Sequence, residues 1–228
     1  MKNLAIIPAR SGSKGVSNKN IRELNHKPLL AYSVESALKS NVFSDVMVST
    51  DSKQYAEIAK KYGASVPFLR SQGNSGDTAS SWDVVKEVVN EYKKMGEQFD
   101  TICLLQPTSP FRTEKDIVGA YSLYEKKASV SVISVCEMEH TPLWSNILPN
   151  DKSLNGFIRR TSGGRRQDSD KYYRLNGAIY IVSVQELFKD TYFYRDGSYA
   201  YIMPTERSVD IDTEMDFAYA DFLMKNYN

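Results

Sequence analysis

Three cationic residues, Arg10, Lys14 and Lys19, lie close together in a segment rich in glycine and serine. The segment follows the apolar run Leu4–Ile7, which has the pattern of a buried strand. Cationic side chains and the backbone N–H groups of a tight loop both bind phosphate oxygens, so the segment predicts a triphosphate site. It is not the standard phosphate-binding loop, because Gly15 follows Lys14 where that motif requires Ser or Thr. A solvated basic loop without a ligand is the alternative interpretation.

Two carboxylates, Asp210 and Asp212, flank Ile211 in the sequence SVDID. In an extended segment, residues i and i+2 face the same way, so both carboxylates should lie together while Ile211 is buried. Adjacent carboxylates repel each other unless a cation lies between them, and Mg²⁺ is usually bound by one or two carboxylates with phosphate oxygens and water. The pair therefore predicts a metal–nucleotide held between the two ends of the chain. The alternative is that Asp212 only caps the last helix while Asp210 is a solvated surface acid.

The composition indicates an ordinary globular protein of 228 residues with a formal net charge of +1. This charge gives no general attraction to nucleic acid or to an anionic membrane, so neither is expected as a partner. No apolar run reaches the roughly 18 residues of a membrane span, and no leader is apparent before the first strand. Cys103 and Cys136 lie in apolar, strand-like runs. Two buried thiols are typical of a reducing compartment, and we predict a cytoplasmic location.

Strand-like and helix-like segments alternate along the chain, which predicts an α/β fold with a mainly parallel, Rossmann-like sheet and helices on both faces. Strands are predicted at 4–7, 45–50, 64–69, 100–106, 130–135, 176–182 and 199–203. Helices are predicted at 28–39, 53–62, 81–95, 113–127 and 213–227, the last with Met215, Tyr219 and Phe222 among its inward residues. Ligands bind beyond the carboxyl ends of strands in such sheets, which places Gln106, Thr108 and Ser109 at the candidate site.

Residues 137–174 interrupt this pattern with prolines, glycines and the arginines 159, 160, 165 and 166. A stretch of about 38 residues is too long for an ordinary connection within a compact domain. We therefore predict that residues 1–136 and 175–228 form one α/β domain and that residues 137–174 form an inserted lobe, lid or arm. A solvated basic turn is the alternative for the arginines.

Five separated motifs resemble, in order, those of the CMP-sialic acid synthetases, or acylneuraminate cytidylyltransferases. They are IPARSGSKG followed by KN, DTASS, LLQPTSPFR, NGAIYI and SVDIDT. The resemblance implies a nucleotide-diphospho-sugar transferase type of fold, with residues 137–174 as a dimerisation and sugar-binding lobe of a homodimer. It implies that CTP reacts with a nine-carbon 2-keto sugar acid, with Mg²⁺ as cofactor. Another sugar nucleotidyltransferase and a non-catalytic nucleotide-binding module remain alternatives, because fold alone does not determine function.

The resemblance also implies roles for individual residues. The catalytic set is Arg10, Lys14, Lys19, Asp210 and Asp212, of which Asp210 and Asp212 bind the metal. The nucleotide is contacted by Ala9, Arg10, Ser13, Lys19, Asn20, Arg70, Ala79 and Ser81. The sugar is contacted by Gln106, Tyr180, Arg166 and Arg174, and one arginine of the lobe reaches the partner's active site.

The chain departs from the family pattern at Trp144, where close sialic acid enzymes carry a lysine. An aromatic side chain thus replaces a cation expected near the sugar carboxylate. A tryptophan suits a more apolar sugar tail, so legionaminic acid, a bacterial relative of sialic acid, is a credible substrate.

Overall fold

The computed structural model describes residues 1–13, 15–76, 79–158 and 170–226. The strands in these ranges are β1 Asn3–Pro8, β2 Glu23–Leu24, β3 Lys27–Pro28, β4 Asp45–Ser49, β5 Thr101–Leu104, β6 Ser131–Glu137, β7 Tyr173–Ser183 and β8 Ser198–Ile202. The α-helices are α1 Leu29–Ser40, α2 Lys53–Lys61, α3 Ser81–Lys94, α4 Glu114–Lys126, α5 Val184–Lys189 and α6 Glu214–Asn226. None of these helices is long and apolar enough to cross a membrane.

Six of the strands form one sheet in the order β4-β1-β5-β7-β6-β8. All except β7 run in the same direction, and β7 is antiparallel to both of its neighbours. The chain passes from β1 to β4 on one side and later to β5 on the other, so the strand order reverses at β1. In open α/β sheets, ligands bind at such a switch point, beyond the carboxyl ends of the strands. The predicted mainly parallel sheet is confirmed.

Apolar side chains of β1 alternate between the two faces of the sheet. Ala5 and Ile7 pack in a core with α1, α2 and α4, whereas Leu4 and Ile6 pack in a core with α3 and α5. A strand covered on both faces is apolar along its whole length, which explains the continuous run at residues 4–7. Helices therefore lie on both faces, as the sequence predicts.

A third apolar cluster joins the two ends of the chain. Val16, which follows the cationic loop, packs with Ile211 and with Phe217 and Ala220 of α6. Ile211 is fully buried, as the alternating SVDID pattern predicts. Burial of these side chains in one cluster brings the segment carrying Asp210 and Asp212 against the segment that begins at Arg10.

Two predictions about elements are wrong. Residues 64–69 do not form a strand; Ser65 alone forms an isolated bridge with Met47. Pro67 has no N–H to donate to a ladder, which explains why the pairing stops there. In α6 the expected inward residues Met215 and Tyr219 are exposed, as is Phe222, and the buried side chains are Phe217, Ala220 and Met224.

The predicted inserted lobe starts and ends at a paired position of the sheet. Glu137, the last residue of β6, pairs with Tyr173, the first residue of β7, and the Met138 N–H donates to the Tyr172 carbonyl at 2.8 Å. Between them, residues 138–158 contain one short 3₁₀ turn, Pro142–Trp144. The four arginines of the predicted basic turn lie outside the described residues.

Candidate active site

An open cleft of about 570 Å³ lies at the carboxyl ends of β1 and β5. Eleven of the residues predicted from the sequence line it: Arg10, Ser13, Lys19, Asn20, Arg70, Ala79, Ser81, Gln106, Thr108, Asp210 and Asp212. They come from five separate parts of the chain. The structure therefore brings the cationic loop and the paired acids into one shared cleft, as the sequence interpretation requires.

Hydrogen bonds to neighbouring elements fix the loop after β1. The Asp51 carboxylate accepts from the Ser11 N–H and the Ser11 hydroxyl, both at 2.9 Å. The buried Asn20 side chain donates its amide to the Arg10 carbonyl at 3.0 Å. These contacts hold the backbone that carries the Arg10 side chain into the cleft. Lys14 lies outside the described residues, so its predicted contact with phosphate stays a prediction.

Lys19 links the cationic loop directly to the acidic segment. Its ammonium group donates to the Ile211 carbonyl at 2.7 Å and to Asp212 Oδ1 at 3.0 Å. Gly15 also touches this segment: a Cβ built on it would lie 2.2 Å from the Asp212 carbonyl oxygen. The glycine is therefore required for close approach of two backbones, and its φ lies outside the left-handed region.

Asp210 and Asp212 occupy different environments at the same edge of the cleft. The pKa of Asp210 is raised, mainly by burial and also by the charge of Asp212. A hydrogen bond from Thr108 and the charges of Lys19 and Arg174 oppose this shift. Asp210 Oδ1 is buried and has no hydrogen-bond partner among the described residues. The Asp212 side chain, in contrast, is 72% exposed. A buried carboxylate oxygen without a donor, beside a second carboxylate, is a donor set suited to a hard divalent cation.

The described residues contain no group of three or more His, Cys, Asp or Glu side chains arranged to hold a metal ion. A cation at Asp210 and Asp212 would therefore take its other ligands from substrate phosphates and water, as Mg²⁺ commonly does.

Asp212 does not cap the last helix, so that alternative is wrong. The Asp216 N–H donates to the Thr213 hydroxyl at 3.2 Å, and Asp216 Oδ2 accepts from the Thr213 N–H at 2.8 Å. The same oxygen accepts from the Asp212 N–H at 3.1 Å. Thr213 and Asp216 thus form a reciprocal capping arrangement that also fixes the Asp212 backbone and leaves its side chain at the cleft.

Arg70 is a buried cation that also lines the cleft. Its Nε donates to the Ser49 hydroxyl at 3.0 Å and its Nη2 donates to the Ser49 carbonyl at 2.5 Å, which anchors the guanidinium at the end of β4. Burial lowers the pKa of Arg70 to about 10, although the nearby carboxylates of Asp51 and Glu87 raise it. The side chain therefore remains charged near neutral pH and is oriented by its scaffold.

Gln106 follows β5 and presents its side chain to the cleft. Its carbonyl accepts from the Ser33 hydroxyl and from Arg112 Nη1, both at 3.3 Å. A Cβ on Gly177 of β7, where φ is +74°, would lie 2.6 Å from Gln106 Oε1 and 3.7 Å from Asp210 Oδ2. The missing side chain at Gly177 thus leaves room for Gln106 beside the acid.

Tyr180 and Arg174 do not line the cleft, but both lie close enough to Asp210 to interact with its charge. Tyr180 lies edge-on to Trp82 at 5.9 Å between ring centroids, and burial, with Tyr194 and Asp210, raises its pKa to about 12. Arg174 Nη2 donates to the Ser208 carbonyl at 3.2 Å, near the acidic segment. Ala9 and Ser109 are both fully buried and do not line the cleft. The burial of Ser109 contradicts its expected place at the site.

The sequence analysis did not identify two residues that line the cleft, Asn74 and Gly76. Asn74 and Gly76 lie in the polar run 70–81, which has no periodicity and gave no signal beyond the DTASS motif. Arg166 lies outside the described residues, so its predicted role stays a prediction.

The fold is shared with solved nucleotidyltransferases. The CTP-bound structure of a CMP-2-keto-3-deoxy-manno-octonic acid synthetase covers 100% of both chains with a TM-score of 0.75 at 16% identity. A 4-diphosphocytidyl-2C-methyl-D-erythritol synthase from Anaerococcus prevotii has a TM-score of 0.67 at 14% identity and covers 99% of both chains. A family model described as Cytidylyltransferase matches residues 4–220, so the chain belongs to the cytidylyltransferase family.

Three curated relatives match over nearly the whole chain. The CMP-N,N'-diacetyllegionaminic acid synthase of Legionella pneumophila is 37% identical over 99% of this chain and 97% of its own length. The N-acylneuraminate cytidylyltransferase of Escherichia coli is 39% identical, and the match covers 100% of this chain but 53% of that longer protein. The pseudaminic acid cytidylyltransferase of Campylobacter jejuni is 33% identical over 99% of this chain and 97% of its own length.

Proposed function

We propose that this cytidylyltransferase joins CTP to the anomeric hydroxyl of a nine-carbon 2-keto sugar acid and releases pyrophosphate. The observation that carries the proposal is the convergence of Arg10 and Lys19 with Asp210 and Asp212 in one cleft. The three curated relatives are named for legionaminic, N-acylneuraminic and pseudaminic acid. All three names denote sugar acids of the same class.

In the proposed reaction the sugar hydroxyl attacks the α-phosphorus in line. A new phosphorus–oxygen bond forms, the bond to the departing pyrophosphate breaks, and the hydroxyl proton is released to water. Because negative charge accumulates on phosphate oxygens, the residues of the cleft mainly position the reactants and neutralise charge. Arg10, Lys14 and Lys19 bind the triphosphate in this scheme.

We propose Mg²⁺ as the cofactor, held by Asp210 and Asp212. The unpartnered buried oxygen of Asp210 and the neighbouring carboxylate of Asp212 fit such an ion. When bound, it supplies Lewis-acid stabilisation of phosphate oxygens. Lys19 orients Asp212 through its 3.0 Å contact, and the helix cap at Asp216 fixes the backbone of Asp212.

The two halves of the cleft receive the two substrates in this proposal. The nucleotide contacts Arg10, Ser13, Lys19, Asn20, Arg70, Ala79 and Ser81, all of which line the cleft. Arg70, held by Ser49, is oriented to recognise the cytosine and ribose region. The sugar acid contacts Gln106, Tyr180, Arg174 and Arg166.

We further propose a cytoplasmic homodimer whose subunits associate through the 137–174 lobe. Several large apolar side chains of this lobe are exposed, among them Ile147 at 90%, Leu154 at 68% and Leu148 at 52%. Burial of these side chains by a second copy would remove a large apolar surface from water. Sedimentation equilibrium tests this: Ile147→Asp should shift the protein from dimer to monomer, and a monomeric wild type would contradict it.

Pyrophosphate release tests the activity and its specificity together. The purified protein is incubated with Mg²⁺, each of the four nucleoside triphosphates, and sialic, legionaminic or pseudaminic acid in turn. We expect turnover with CTP and with none of the other three nucleoside triphosphates. Because Trp144 replaces a lysine, we also expect a higher kcat/KM with legionaminic acid than with sialic acid. A clear preference for sialic acid would refute the legionaminate assignment. A parallel reaction contains a sugar 1-phosphate in place of the sugar acid, and turnover in that reaction alone would refute the proposed reaction.

A further inference from the structure

Glu87, on the surface of α3, accepts hydrogen bonds from the loop that follows Arg70. Its Oε1 accepts from the Ser71 N–H at 2.7 Å, and its Oε2 accepts from the Ser71 hydroxyl at 2.9 Å. The Asn74 side-chain amide also donates to Oε2. One carboxylate thus receives three donors from a segment that belongs to the cleft, since Arg70, Asn74 and Gly76 all line it.

The loop folds upon itself, and Glu87 attaches this folded unit to the helix. The Asn74 N–H donates to the Ser71 carbonyl at 3.3 Å, and the Ser75 hydroxyl donates to the same carbonyl at 2.7 Å. Since Glu87 contacts both Ser71 and Asn74, it fixes the loop at two points. This restrains rotation of the loop as well as its distance from α3.

The charge state of Glu87 agrees with this function. Partial burial raises its pKa, but hydrogen bonds from Asn74 and Ser71 and the charge of Arg70 outweigh burial, so the net pKa lies below the ordinary glutamate value. Glu87 also raises the pKa of Arg70. Glu91, one turn further along α3, forms an ion pair with Lys94 at 2.6 Å and lies outside the cleft.

We propose that Glu87 is a positioning residue for the nucleotide: it fixes segment 70–76 as the wall against which CTP binds. It acts through Asn74 and Arg70 and is not itself among the residues that line the cleft. This inference rests on the proposed function, because the nucleotide is assigned to that wall.

The test compares Glu87→Gln with the matched control Glu91→Gln on the same helix. A glutamine side chain keeps the size of glutamate but cannot accept all three hydrogen bonds, because its amide nitrogen is a donor. We expect faster hydrogen exchange in segment 70–76 and a KM for CTP raised about tenfold, equivalent to ~1.4 kcal/mol. The KM for the sugar acid and kcat should stay within about twofold, and Glu91→Gln should match the wild type on the same scale.

A double variant tests whether Glu87 acts through Asn74. If it does, Asn74→Ala combined with Glu87→Gln should raise the KM for CTP by less than the product of the two single effects. The proposal would be overturned if Glu87→Gln showed the same hydrogen exchange in segment 70–76 and the same KM for CTP as Glu91→Gln. So would an equal rise in both KM values together with a lower Tm, because that pattern shows a purely structural role. A wild type that releases no pyrophosphate would instead refute the proposed function, and loop exchange would still report on Glu87.

Discussion

Gly15→Ala tests the contact on which the active-site geometry depends. A Cβ at position 15 would lie 2.2 Å from the Asp212 carbonyl oxygen, more than 1 Å inside the 3.4 Å at which ordinary contact begins. The obstructing atom belongs to the backbone, so it cannot rotate away as a flexible side chain could. The cationic loop and the acidic segment must therefore separate by about the size of this overlap.

This separation predicts a large loss of activity and a modest loss of stability. Misplacement of reacting groups by about 1 Å lowers rates by about 10²-fold, which corresponds to ~2.7 kcal/mol in the activation free energy. An overpacked contact costs about 1–3 kcal/mol of folding free energy, and movement of an exposed loop brings the cost toward the lower end. The main effect should thus be on kcat/KM.

Gly12→Ala is the matched control, because a Cβ at Gly12 has no heavy atom within 4 Å and its φ lies outside the left-handed region. Both variants remove one glycine from the same loop and so change the unfolded chain similarly. The assay is pyrophosphate release with CTP and the best sugar acid, together with Tm. We expect Gly12→Ala to stay within about twofold of the wild type. Equal activities of the two variants would refute the argument that close approach of residues 15 and 212 positions the site.

Three further predictions follow from the same cleft. Asp212→Asn should lower kcat by about 10²- to 10³-fold while the Kd for CTP, measured by calorimetry, changes less, and near-normal turnover would contradict the metal role. Gly177→Ala, at φ +74° and against Gln106, should raise the KM for the sugar acid more than the KM for CTP; equal changes would contradict its place on the sugar side. Because burial and Asp212 raise the pKa of Asp210, its ionised form is lost as pH falls through a value above the ordinary aspartate range. In Arg174→Gln, loss of a cation that lowers this pKa should move the acid limb of the kcat/KM profile to higher pH, and an unchanged limb would contradict the coupling.

Much of the fold follows from local patterns. Continuous apolar runs identified β1 and β5 because strands covered on both faces need no polar side. The helix predicted to begin at Thr113 has a capping box there: the Asp116 carboxylate accepts from the Thr113 N–H at 2.9 Å, and α4 begins at the next residue. The apolar pattern did not predict which side of α6 is buried, because apolar residues occur all around this helix and only packing selects the buried side.

The antiparallel direction of β7 also required the tertiary structure. The run at 176–182 is equally apolar whichever way the strand lies, since side-chain alternation carries no information on direction. Its antiparallel pairing with β5 and β6 places Gly177 beside Gln106. The sequence showed the glycine but not the neighbour that requires it.

The sequence by itself determined which groups are available: cations in a small-residue loop, a glutamine after a strand, and two acids around a buried isoleucine. Residue types and short spacings contain that information, because charge, hydrogen-bonding capacity and strand alternation are local properties. Only the tertiary structure decided that these groups face one another. The Lys19–Asp212 contact spans 193 positions of the chain. It depends on the burial of Val16, Ile211 and Phe217 in one cluster, which is a property of packing in three dimensions.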